Sequence, residues 1–395
     1  MPNNVRGWIL ERELKIYLYL LLILSMGIMI SCDNSGAGGI FGSFDSRENQ
    51  EKSSRKSASL DNNISQENYT SDNISDLLFV PGGSFYPATG SGKMTLSHFH
   101  IGKYEITRAE YYDIMRESPW LIRAYDPYSL LDVYSEEEIY RNPATGMNWF
   151  EAIVFCNRLS IIENLIPVYT LPGKGTNPDA WGIIPGTHSI SNTNQGNTVE
   201  NSVSLWNSIE ANWNANGYRL PTKMEFLWAA LGGTDSQHRE FSGDTGLNHI
   251  NDYAWNIANS GNNTHPVGRK RPNALGLFDM TGNAKEWGWD IVGIAEEIYK
   301  DFSRGSHNES DPPLIRNGIV FVRLPEAEQR DYRGPILSGQ ELILDSAAIQ
   351  RVVAGGSWAT GEENSSLTFR EESFIDSRFP EQRDTRTIGF RVVRR

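Results

Sequence analysis

Two thiols, Cys32 and Cys156, and seven imidazoles, at positions 98, 100, 188, 238, 249, 265 and 307, are the soft and titratable ligands of this chain. Two cysteines cannot build a disulfide framework, a cysteine-rich zinc site or an iron–sulfur cluster. His98 and His100 point to the same face of an expected strand, a start towards zinc, but no third ligand accompanies them and no HExxH occurs. Ser357 is a hydroxyl without a placed base. Cys156 sits on the apolar face of an expected helix with Ala152, Ile153, Phe155 and Leu159, where a free cysteine acts as a small buried hydrophobe. Asp279 and Glu286 lie seven positions apart; they converge only if the chain between them turns back, and Gly282-Asn283 supplies that turn.

The chain that must position these groups has 395 residues, 36 basic and 49 acidic, a net charge of −13. That balance argues against a nucleic-acid partner, which needs a basic stripe to displace counterions. Eleven tryptophans exclude a disordered chain, and 36 glycines with 18 prolines predict a loop-rich globule rather than a helical bundle.

Residues 16–30 form a 15-residue run without a charge, preceded by Arg6, Arg12 and Lys15. A membrane-spanning helix needs about 20 apolar residues, so the run reads as the core of an export signal. It ends in Met29-Ile30-Ser31-Cys32, which resembles a bacterial lipobox, and Cys32 is the expected lipidation site. The expected division is a signal peptide at 1–31 and a polar, flexible tether at 32–76, followed by one domain at 77–395. An uncleaved N-terminal anchor is the alternative. Either reading ties the chain to a membrane and places the rest in the bacterial cell envelope, with inner and outer membranes both left open.

Leu77 to Phe85 reads as strand, turn, strand around Pro81-Gly82-Gly83, and 99–107 as a further strand. Thr107 caps a helix over 108–116, Asn148 caps a second helix, and Lys223 to Leu231 forms a third, stopped by Gly232-Gly233. Residues 171–216 and 292–330 read as polar or irregular surface insertions. Two buried strands, 351–358 and 388–393, close the chain.

The blocks FVPGGSF (79–85), IGKYEIT (101–107), PATGMNW (143–149), FCNRLS (155–160), GYRLPTKMEF (217–226), HPVGRKRPNALGLFDMTGNAKEW (265–287), GGSW (355–358) and IGFRVV (388–393) resemble, in this order, the formylglycine-generating enzyme family, the sulfatase-modifying factors. The resemblance implies an α+β, C-type-lectin-like fold: a single compact domain with little regular secondary structure. It implies copper(I) chemistry at two cysteines after GGS, but those places hold Thr360 and, by count, Ser365; no cysteine follows Cys156. Hydroxyls do not replace soft thiolates, so neither copper nor catalysis by the family's route is expected. The resemblance also implies a structural calcium site, with side-chain oxygens from Asp279 and Glu286 and carbonyls from Gly282 and Ala284.

The function expected is non-catalytic: a lipoprotein that binds or displays a protein or surface ligand. As in displayed members of this superfamily, the segment between GGSW and GFR supplies the candidate contacts: Ser357, Trp358, Thr360, Glu362, Asn364, Phe369 and Phe374, with Glu363, Glu371, Glu372 and Arg378 nearby. Two alternatives stand beside it: an oxidoreductase-like enzyme with altered chemistry in the same pocket, and a scaffold lipoprotein of an envelope machine.

Overall fold

The computed structural model describes residues 67–87, 93–120, 135–186, 205–233, 240–245, 249–292, 350–361 and 386–395, with short pieces at 314–316, 319–321, 330–331, 333, 336–337 and 371–374. The chain divides into two compact units, Met1–Ser65 and Gln66–Arg395, and all described residues lie in the second. The expected signal peptide, Cys32 and residues 33–66 of the tether lie outside the described residues. So do Glu362, Glu363, Asn364, Ser365, Phe369 and Arg378, and most of 292–330. Residues 67–76, read as flexible tether, instead pack on the domain, with Ile74 buried in the core, Tyr69 bridged to Leu77, and Ser71 and Asn73 bonded to Glu163.

The helices start where the sequence places reciprocal caps. Thr107 with Glu110 opens α1 (Arg108–Met115), and Ser135 with Glu138 opens the short α2 (Glu136–Tyr140). Asn148 with Glu151 opens α3 (Trp149–Ile162), and Thr222 with Glu225 opens α4 (Lys223–Ala230). Each pair satisfies N–H groups that have no partner inside the helix. Past α4, Gly232 and Gly233 adopt φ of 80° and 67°, as a helix stop requires.

FVPGGSF contributes the two expected strands, β1 (Leu77–Val80) and β2 (Gly83–Phe85), which join different sheets. β2 pairs with β3 (Met94–Leu96), and β1 pairs antiparallel with β4 (Phe99–Gly102). A Cβ at Gly82 would lie 2.6 Å from the Leu96 carbonyl oxygen, so only glycine allows this crossing. The tail 388–393 is likewise not one strand. It splits into β13 (Ile388–Gly389) and β14 (Val393–Arg394), which belong to separate sheets, and the break turns Arg391 into the core.

The insertion read at 171–216 is not wholly a surface feature. A two-stranded pair, β5 (Tyr169–Thr170) with β6 (Glu210–Ala211), spans it, and Leu171, Trp181, Trp206 and Ile209 join the core around α3. Asn157 on α3 donates to the carbonyls of Tyr169 and Thr176, which ties the segment down. The polar majority of the segment hid these few anchors.

The sheet that carries the site runs β12 (Glu371–Phe374), β11 (Gln350–Ala354), β7 (Lys285–Val292), β13. β11 lies antiparallel to β7, with Val353 opposite Trp287 and Ala354 opposite Glu286; β13 runs parallel to β7. The stretch read as an irregular insertion at 292–330 carries regular structure: β8 (Leu314–Arg316) pairs antiparallel with β9 (Ile319–Phe321), and with β10 (Ile336–Leu337) they form a separate sheet. Among the described residues no helix is long and apolar enough to cross a membrane.

Candidate functional site

The turn expected between Asp279 and Glu286 is present. Asp279, Gly282 and Asn283 all take positive φ, at 54°, 82° and 60°. A Cβ at Gly282 would meet the Trp255 carbonyl oxygen at 2.3 Å, so this residue must be glycine. The loop brings three buried carboxylates around one buried guanidinium: Glu105, Asp279 and Glu286 with Arg391, none more than 2% exposed. Arg391 donates to both oxygens of Glu286, at 2.7 Å each, and also to the carbonyls of Gly102 and Phe278. Glu105 accepts from the Ala284 N–H and from Asn283 Nδ2, both at 2.8 Å. Asp279 Oδ2 accepts from the Gly268 N–H, while its Oδ1 is buried with no hydrogen-bond partner.

Fully ionised, this cluster carries three negative charges against one positive. Burial, and then the charges of Asp279 and Glu286, push the Glu105 carboxyl well above the usual carboxylate range. Burial pushes Asp279 up to about 6. The Lys270 ammonium near Asp279 offsets part of the surplus, and protons or a further cation would offset the rest. The donor set suits a hard cation in part. Asp279 offers a free oxygen, whereas both Glu286 oxygens already face Arg391, a partner the sequence did not reveal. Among the described residues no group of three or more His, Cys, Asp and Glu side chains is arranged to hold a metal ion, so a calcium ion here would draw on main-chain carbonyls as well.

The GGSW segment places its hydroxyls inward. Ser357 and Thr360 are buried, their hydroxyls 3.0 Å apart, and the Ser357 N–H donates to Thr360 Oγ1. The Trp358 N–H donates to the Asn283 carbonyl, which fastens this turn to the Asp279 loop. Ser357 and Thr360 thus hold a turn, and of the candidate contacts in 357–360 only Trp358 is partly exposed. Phe374 lies on β12, where the backbone alone is described.

Cys156 is a free thiol with 0% exposure, and burial raises its pKa far above the ordinary value. His265 stacks on Trp255, with centroids 3.7 Å apart, and its Nε2 bonds the Ser260 carbonyl, a structural role. His98 and His100 flank the Phe79 ring, and His100 Nε2 bonds the Glu67 carbonyl.

A second cluster on the same sheet carries no signal in sequence spacing. The Arg351 guanidinium lies 3.8 Å from the Trp149 ring centroid and 5.1 Å from that of Trp289. Trp289 stacks on Tyr169, interplanar angle 16°, and meets Trp213 edge-on at 86°. Arg333 lies over Trp213 at 4.5 Å. Trp213, Trp289 and Arg333 are partly exposed. They are 44 to 120 positions apart, so only an excess of tryptophan hinted at them.

The model of the "Sulfatase-modifying factor enzyme 1-like domain" family matches residues 63–395. A protein of Paenibacillus barcinonensis named "Chaperone protein LppX" is 35% identical over 232 residues, which is 54% of this chain and 71% of that protein. Among solved structures, "Treponema denticola variable protein 1" is similar at 27% identity and a TM-score of 0.56, covering 83% of this chain and 98% of its own.

Proposed function

The chain belongs to the sulfatase-modifying factor enzyme 1-like domain family, and from that premise we propose that it is a cell-envelope lipoprotein, anchored through Cys32, which uses the fold to bind other proteins rather than to oxidise a cysteine. One observation carries the reading. The family's route needs paired thiolates after GGS, and here Thr360 is committed to the Ser357 turn while the one thiol other than Cys32, Cys156, is buried in α3. A protonated, enclosed thiol is neither a soft ligand nor a nucleophile. The name of the Paenibacillus relative, a chaperone protein, supports a role in contacting other proteins.

Calcium belongs to the same proposal. A divalent ion held by Asp279 Oδ1 and the carbonyls of Gly282 and Ala284, beside Glu286, would offset the remaining surplus charge of the cluster and stiffen the loop to which Trp358 is fastened.

The test of the non-catalytic reading is direct. The full chain in detergent is incubated with copper(I), oxygen, reductant and a Cys-x-Pro-x-Arg peptide, and the peptide mass is followed. No aldehyde is expected; turnover that persists in Cys156→Ala would establish an enzyme with different chemistry.

A further inference from the structure

The partly exposed edge of the tryptophan–arginine cluster is built like a recognition surface. Trp289 is wedged between Tyr169, Trp149 and Trp213, with ring centroids at 5.2, 5.6 and 5.8 Å, so its ring is fixed before any ligand arrives. Rigid aromatic anchors of this kind lose little conformational freedom on binding, and tryptophan, tyrosine and arginine dominate binding hot spots. The charges beside it are unevenly spent. Arg219 is paired with Glu225 at 2.6 Å and Arg395 with Asp331 at 2.9 Å. Arg333 has no ion pair among the described residues, whereas Arg351 is buried and donates to the Trp289 carbonyl at 2.6 Å, which holds it under the cluster rather than offering it to a ligand. A guanidinium stacked over a ring keeps its N–H edge free for a carboxylate. In a chain of net charge −13, the part-exposed Arg333 guanidinium beside partly exposed indoles favours a negative partner over a neutral one.

We propose that the face formed by Trp213, Trp289 and Arg333 is a docking site for an acidic peptide segment of a partner protein, with a carboxylate on Arg333 and a flanking apolar side chain on the two indoles. The proposal rests on the binding-protein reading above and names the chemistry of its partner. It places that contact outside the 357–378 segment that the sequence singled out.

The full chain in detergent is titrated by calorimetry with the capped peptide Ac-Asp-Phe-Glu-Phe-Asp-NH2, with its neutral isostere Ac-Asn-Phe-Gln-Phe-Asn-NH2, and with glucuronate. Saturable binding of the acidic peptide is expected, at least tenfold tighter than the isostere, with glucuronate not competing. Arg333→Glu and Trp213→Ala should each weaken it at least tenfold while leaving the melting midpoint of these part-exposed sites unchanged. Equal binding of the two peptides, no saturable binding, competition by glucuronate, or full affinity in Arg333→Glu would each overturn the proposal. None of those outcomes touches the aldehyde assay, so the binding-protein reading stands or falls separately.

Discussion

Arg391 and Glu286, 105 residues apart in the chain, are joined by two hydrogen bonds of 2.7 Å and are almost completely buried. The pair ties the tail 388–393 to β7, and the same guanidinium reaches the carbonyls of Gly102 and Phe278. One side chain therefore holds four separate stretches of the chain together beneath the Asp279 loop.

Removing one member of such a pair leaves an uncompensated buried charge, which costs about 3–5 kcal/mol. Arg391→Leu should lower the unfolding free energy in urea by that order; Glu286→Leu, which leaves Arg391 beside Glu105 and Asp279, should lower it by less, and the double variant by clearly less than their sum. Additive losses in a double-mutant cycle would mean that the two groups do not act as a pair.

Burial pushes Asp290 up to about 6, although it accepts from the Lys223 N–H at the start of α4. A carboxyl whose folded pKa lies above its unfolded value near 4 is held protonated more strongly by the folded state. Its destabilising effect is absent below pH 4, grows as the pH rises towards 6, and persists in full above. Stability should thus fall between pH 4 and 6.5, by at most about 2–3 kcal/mol from this group. Asp290→Asn should flatten that slope in denaturation curves; an unchanged slope would remove Asp290 as its source.

Calcium should raise the melting midpoint of the full chain relative to chelator, with a hundredfold excess over Kd contributing about 2.7 kcal/mol. Asp279 titrates near 6, and a cation binds its ionised form, so the calcium effect should be larger at pH 7.5 than at pH 5. Equal midpoints with and without calcium at pH 7.5, or a full response in Asp279→Asn, would refute the site.

Metabolic palmitate labelling should be lost in Cys32→Ala. The expectation comes from the uncharged run 16–30 ending at Ser31-Cys32. Label retained in the variant would exclude anchoring at this cysteine.

The sequence by itself determined the helix starts, because Thr107, Asn148 and Thr222 each bond a glutamate three positions on, and such local pairs need no tertiary context. It also determined the turn at Gly282-Asn283, since backbone sterics admit few other residues there. The burial of Cys156 followed from its place on an apolar helix face. Tertiary structure alone decided what those pieces meet. Glu286 reads as a metal ligand along the chain and becomes the partner of Arg391 in the fold, because a strand break at Phe390 turns that guanidinium inward. Ser357 and Thr360 read as surface contacts and become each other's partners in a buried turn. Trp149, Trp213, Trp289, Arg333 and Arg351 come from distant segments, and long-range contacts leave no periodicity in the local sequence to announce them.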